Sequence, residues 1–206
     1  ARTAMVRGQI LYRVAELMEG RAAQFRDDLI NHGASKSDAA AEVSAAIDRM
    51  VWYAGWPDKL SAVLGGTNPV ASSHFVFTLP EPTGVIASIA PEASPLLGLV
   101  SRLGGILAGG NVAIVLASES APLPAVTLAE TLAVSDVPAG VVNIITARRA
   151  ELLPHLVRHA DIDGYDLWGC PDELLVEAEQ GAAEHVARVA RRPHGVKDRA
   201  DAFDGE

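Results

Sequence analysis

Residues 84–116 read GVIASIAPEASPLLGLVSRLGGILAGGNVAIVL, and this stretch decides the fold. Two short apolar runs rich in β-branched residues, GVIASIA at 84–90 and NVAIVL at 111–116, enclose a helical pattern over 96–108. A strand that is apolar along its whole length is buried on both faces, and two such strands joined by a helix form a parallel βαβ unit. The rhythm continues downstream with a helix over 122–133, the run VVNIIT within 141–146, a helix over 149–158, a short run over 162–167 and a final helix from about 171 to 191. Alternating runs and helices predict an α/β fold, a Rossmann-like doubly wound parallel sheet with helices on both faces.

Upstream the pattern is helical. Ile10, Leu11, Val14, Leu17, Met18, Phe25 and Leu29 recur at spacings of three and four over 9–32, and Gly33 closes that helix. A second helix opens at Ser37 and ends near Gly55 and Pro57, LGGTNP at 64–69 reads as a loop, and 74–79 reads as a strand stopped by Pro80 and Pro82. The expected organisation is a helical segment over 1–72 belonging to the same domain, the Rossmann-like domain over 73–191, and a polar tail over 192–206.

Composition narrows the function classes. The 206 residues carry 17 Lys and Arg against 26 Asp and Glu, a net charge of −9, so a nucleic-acid backbone finds no basic footprint here. With 49% apolar residues and a mean hydropathy of +0.19, wholesale disorder is excluded. The most apolar stretch, 93–118, is split by Arg102 and punctuated by five glycines, too broken for a membrane span, and 1–30 has no signal-like apolar core. A lone cysteine, Cys170, rules out an internal disulfide framework and a Cys-rich zinc site, and a reducing, cytoplasmic setting is expected. The chain starts at Ala1 rather than Met, which leaves room for sequence upstream.

Neither G-x-G-x-x-G nor G-x-x-x-x-G-K-[ST] occurs. His155 and His159 are one helical turn apart, but no third ligand accompanies them, and solvated histidines on a helix face are expected rather than a metal site. Cys170 precedes a helix, where a thiolate is stabilised; with no base in a recognisable motif it reads as a small residue at a strand-to-helix turn. Asp161 and Asp163 read as a polar turn, Glu119 as an acidic residue at a helix start, and Trp52, Tyr53 and Trp56 as core or interface packing. No catalytic residue is assigned.

From about Arg7 to Asp166 the chain resembles the N-terminal, NAD(P)-binding half of the aldehyde dehydrogenase superfamily. The matching text is ILYRVAELME at 10–19, YAG at 53–55, EPTGVI at 81–86, LAGGN at 107–111, SESAP at 118–122, LAE at 128–130 and VPAGVVNIIT at 137–146. The resemblance implies a cofactor crevice at the carboxyl ends of the strands, with Ser118, Glu119 and Gly169 as remnant cofactor-binding residues and Glu92 beside them. It also implies that 74–79 belongs to an oligomerisation arm. Cys170 falls on a cofactor-side Ser of the family, so it does not stand in for the nucleophile.

The departures from the family carry as much weight. Its first βα turn reads Pro-Trp-Asn-x-Pro, with the Asn donating to the oxyanion; here Ala93 takes that place. Loss of one such donor costs about 10² to 10³ in rate in comparable sites. Leu116 stands where the family has the Lys that reaches the adenosine ribose, Ala147 replaces a Gly, and the Phe-Thr-Gly-Ser turn has become Leu167-Trp168-Gly169-Cys170. The family's Glu base and catalytic Cys lie in its second half, beyond the part this chain resembles.

The chain is similar in this to the additional, thiol-less unit of family-sixteen type aldehyde dehydrogenases. The expectation is a non-catalytic aldehyde-dehydrogenase-like subunit that forms a homo-oligomer, or a hetero-oligomer with a catalytic aldehyde dehydrogenase. It is expected to engage no nucleic acid and no membrane, to hold no metal, and to bind NAD or NADP weakly or not at all. The alternative is part of an NAD(P)-dependent aldehyde dehydrogenase whose nucleophile comes from another chain or a further segment. A third reading is a small-ligand binder using the crevice around Glu92, Ser118 and Gly169.

Overall fold

The computed structural model describes residues 2–191. The polar tail expected over 192–206 therefore lies outside the described residues. A five-stranded parallel sheet forms the centre, in the order β5 (Val142–Ile145), β4 (Val112–Leu116), β3 (Val85–Ile89), β6 (Gly164–Asp166), β7 (Arg188–Ala190). The quoted stretch is the unit at its middle: β3 and β4 run parallel, joined by the returning helix α5 (Leu97–Ala108), with Val85 opposite Val112 and Ile89 opposite Leu116.

Side chains alternate across β3 as the two-residue period of a strand requires. Ala87 and Ile89 join the core under α7 (Arg149–Leu156) and α8 (Asp172–Ala183), whereas Ile86 and Ala90 face the core under α5 and α6 (Leu123–Ala133). This double burial is why the strand shows no polar alternation in its sequence.

Three N-terminal helices build a further layer over α5 and α6. The single helix expected over 9–32 is two, α1 (Ala4–Gly20) and α2 (Ala22–Asn31), interrupted at Arg21; α3 is Lys36–Ala54. Arg21 and Gln24 reach across to Glu130 and Thr127 of α6, which fixes the direction of α2 after the break. Phe25 and Leu29 are fully shielded under α2, each burial stabilising by about 2 kcal/mol. Tyr53 of α3 lies against α5: a Cβ on Gly104 would sit 2.4 Å from its ring, so only glycine lets the two helices approach this closely. Of the aromatic cluster, Tyr53 is thus core, while Trp52 is 48% exposed with its ring edge-on to Tyr53 at 4.9 Å.

A short α4 (Leu60–Leu64) leads to a two-stranded ribbon. Here β2 (Val76–Thr78), inside the strand expected over 74–79, pairs antiparallel with β1 (Gly66–Asn68), a segment the sequence marks as loop. The C-terminal end also departs from the expected pattern. The expected helix over 171–191 stops at Ala183, the chain turns at Val186 with φ +61°, and β7 follows. Among the described residues no helix is long and apolar enough to cross a membrane.

Candidate functional site

From β3 the chain winds in one direction to β4 and β5, then returns to place β6 and β7 on the other side of β3. The gap between the carboxyl ends of β3 and β6 is therefore the topological switch point, where doubly wound sheets hold ligands. Four loops meet there: the turn after β3, the turn after β4, the start of α7 and the turn after β6.

The residue at the centre is Arg149, which the sequence does not single out. Its guanidinium bridges the gap, one Nη donating to the carbonyl oxygen of Gly169 at 3.1 Å and the other to that of Ala90. The latter nitrogen also meets Glu92 Oε1 at 2.5 Å. Arg149 is 4% exposed, and its Nε, also buried, has no hydrogen-bond partner among the described residues. A cation in the first turn of a helix opposes the helix dipole. The paired arginines Arg148 and Arg149 at the start of α7 were the available signal that something other than helix stability places a charge there.

Glu92 knits the rim together. Its carboxylate accepts from Ser118 Oγ (2.6 Å), Ser120 Oγ (2.6 Å) and the backbone N–H groups of Glu119 (2.9 Å) and Ser120 (3.1 Å). Partial burial pushes its carboxyl up, but these donors outweigh burial and hold it down at about 2.

Ser118, Glu119 and Gly169 all converge on this network. Ser118 is buried, donates to Glu92 and caps the next turn by accepting from Ala121 N–H at 3.1 Å. Glu119 accepts from the backbone N–H of Arg149 at 3.0 Å, occupying an amide of the α7 N-terminus. Gly169 runs so close to the end of β3 that a Cβ would lie 2.4 Å from the Ile89 carbonyl oxygen, so a larger residue would force the turn outward. The N-terminus of α5, at the same edge, is also filled from within: Glu42 of α3 accepts from the N–H groups of Leu96 (2.9 Å) and Leu97 (3.1 Å). Anion-binding amides at the starts of α5 and α7 are thereby taken by the protein's own carboxylates.

The remaining sequence candidates lie elsewhere or point away from chemistry. Leu116 is 1% exposed, inside the sheet rather than on the crevice wall, while Ala93 is exposed in the turn after β3. Cys170 is 6% exposed, and burial pushes its thiol up to about 11, away from the thiolate a nucleophile needs. Asp163 accepts from the N–H of Val85 at 2.8 Å as a turn residue, and His159 Nδ1 accepts from Asp161 N–H at 3.3 Å. No group of metal-ligating side chains occurs among the described residues.

A second polar cluster flanks the crevice on the α5 face of the sheet. Asp166 accepts from Ser88 Oγ (3.1 Å) and Trp168 N–H (3.2 Å) and lies 3.7 Å from Arg102, whose guanidinium stacks 4.7 Å over the Trp168 ring. Burial pushes the Asp166 carboxyl up. Arg102, Asp166 and Trp168 border a cleft of about 520 Å³ with Tyr53 and Ser101.

Comparison with known proteins agrees with the architecture. The profile of the Aldehyde dehydrogenase family matches residues 1–192. Aldehyde dehydrogenase 1A1 of Homo sapiens is 30% identical over 185 residues, covering 89% of this chain and 36% of that protein, and the Rattus norvegicus protein of the same name is 33% identical over the same shares. Among solved structures, an NAD+ complex of an aldehyde dehydrogenase from Bacillus cereus superposes with a TM-score of 0.85 at 26% identity, over 92% of this chain and 38% of that one. An NAD-dependent benzaldehyde dehydrogenase from Corynebacterium glutamicum gives 0.81 at 26% identity, over 93% and 42%. The chain spans a little over a third of the length of these curated relatives, and its match begins with their N-terminal part. On its sequence, its parallel sheet and its extended family match, this chain belongs to the aldehyde dehydrogenase family.

Proposed function

We propose that this chain is a non-catalytic aldehyde-dehydrogenase-like unit that works by assembly, with itself or with a catalytic aldehyde dehydrogenase. The observation that carries the reading is the position of Arg149. A dinucleotide laid across the switch point needs its diphosphate near the helix starts and the glycine-lined turns. Here that space holds a guanidinium whose donors engage Ala90, Gly169 and Glu92. Glu92, whose carboxylate is engaged by the turn after β4, adds a negative charge at the rim of that space. The residues present therefore do not fit NAD or NADP, and no hydride-transfer step is derived for them.

Support for assembly comes from the ribbon and the sheet edge. Phe75 (75%), Phe77 (57%) and Leu79 (61%) are exposed on or beside β2, and β7 is an exposed edge strand. Apolar ribbons and unpaired edges mark interfaces when a protein stays dispersed.

The cofactor part is tested by thermal unfolding in millimolar NAD or NADP. A ligand at a hundredfold excess over its Kd stabilises the folded state by about 2.7 kcal/mol, so an unchanged Tm is expected. A rise of several degrees would favour the rival reading, a chain that contributes a working cofactor half to aldehyde oxidation. The assembly part is tested by light scattering: oligomers are expected that Phe77→Lys dissociates, and a dispersed monomer that does not co-purify with a catalytic aldehyde dehydrogenase overturns it.

A further inference from the structure

A separate cavity opens at the opposite, amino-terminal edge of the sheet. It measures about 560 Å³ and lies between the first turns of α1, the start of β4 and the turn before β5. Its walls are Ile10, Leu11, Leu107, Val112, Val137 and Val141, an apolar surface of the kind that holds small organic ligands.

Two polar features break that surface. Arg7, in the first turn of α1, lies along the cavity, with Nη1 donating to the Arg2 carbonyl oxygen at 3.1 Å and a buried Nε that has no hydrogen-bond partner among the described residues. Its guanidinium rests over the backbone of Gly110: a Cβ there would be 3.3 Å from Arg7 Cζ and 3.2 Å from Pro82 Cγ, and φ at Gly110 is +85°. The second feature is charge. In a chain of net charge −9, this cavity is lined by two cations, Arg2 and Arg7, and by no Asp or Glu among the described residues. The first turn of α1, where the dipole favours anions, likewise carries no acidic residue.

We propose that this cavity binds a monocarboxylate with an apolar tail, the carboxylate on Arg7 and the tail along Ile10, Leu107, Val137 and Val141. Arginine meets a carboxylate through short charge-assisted hydrogen bonds, and the tail displaces water from an apolar wall. The site lies at the other end of the strands from Arg149, so it stands whether or not the crevice accepts a dinucleotide.

Isothermal titration of the purified chain with sodium octanoate tests it, with 1-octanol and sodium acetate supplying the tail and the charge alone. Saturable binding of one octanoate per chain is expected, at least tenfold tighter than either control. Arg7→Gln should weaken octanoate at least tenfold while leaving octanol unchanged. Because Arg7 also holds the Arg2 carbonyl, Val141→Phe provides a second route: it fills the cavity, keeps Arg7, and should abolish binding with an unaltered circular dichroism spectrum. The proposal is overturned by the absence of saturable octanoate binding, by octanol binding as tightly as octanoate, or by unchanged affinity in either folded variant.

Discussion

Arg149 and Glu92 meet at 2.5 Å across the carboxyl edge of the sheet, and they differ in how much water they keep: 5% of the Arg149 side chain is exposed against 38% of Glu92. The pair ties the first turn of α7 to the loop after β3. Removing the buried member leaves Glu92 its other donors, but strips the Ala90 and Gly169 carbonyls of theirs and leaves a void.

Arg149→Met is therefore expected to lower unfolding free energy by about 3 kcal/mol, the range for breaking a buried ion pair. Glu92→Gln should cost less, about 2 kcal/mol, because the amide still accepts some of the rim hydrogen bonds and solvent screens a carboxylate that is over a third exposed. Urea titrations of both variants and the parent check the order; equal losses would show that the pair does not hold the crevice as described.

The acid limb of stability follows from Glu92. Its folded carboxyl sits at about 2, below the usual 4.5, so its contribution is complete above pH 4.5 and fades as the pH falls towards 2. Asp166 and Glu42, whose carboxyls burial pushes up, act in the opposite sense, so the comparison with Glu92→Gln isolates the single group. Urea midpoints of parent and variant should differ at pH 7, draw together below pH 4.5 and converge only as the pH approaches about 2. A gap that stays constant with pH would contradict the assignment.

Cys170 should behave as packing rather than as a nucleophile. With its thiol raised to about 11 by burial, reaction with a disulfide reagent at pH 8 is expected to be slow and to become fast only in denaturant. Cys170→Ala should cost about 1 kcal/mol for the lost sulfur. Rapid modification of the folded chain at neutral pH would argue for an activated thiolate.

Val186 offers a stabilising change. It is 90% exposed yet holds φ +61°, a left-handed conformation that a β-branched residue adopts only under strain. Val186→Gly should raise stability by about 1 kcal/mol, since little packing is lost and the strain is relieved. A lower Tm for this variant would mean that the side chain makes contacts of value in an assembly.

The order of strands and helices was legible because local chemistry dictates it. Runs such as 84–90 and 111–116 have no polar face to show to water, so they must lie inside a covered parallel sheet. The glycines of α5 read in the sequence only as breaks in an apolar stretch, and it is the structure that shows Gly104 making room for the Tyr53 ring. The ribbon partner over 66–68 was not legible, because a three-residue strand exposed throughout has no hydrophobic period to read. Nor was the end of α8, since no glycine marks the left-handed turn at Val186. At the site, Ser118, Glu119 and Gly169 could be named from their text, yet what they do depends on Arg149. That side chain reaches acceptors 59 and 20 residues away in sequence, at the ends of strands that only the folded sheet brings together. A charge is buried or solvated according to which acceptors tertiary packing sets around it, and no local pattern encodes that.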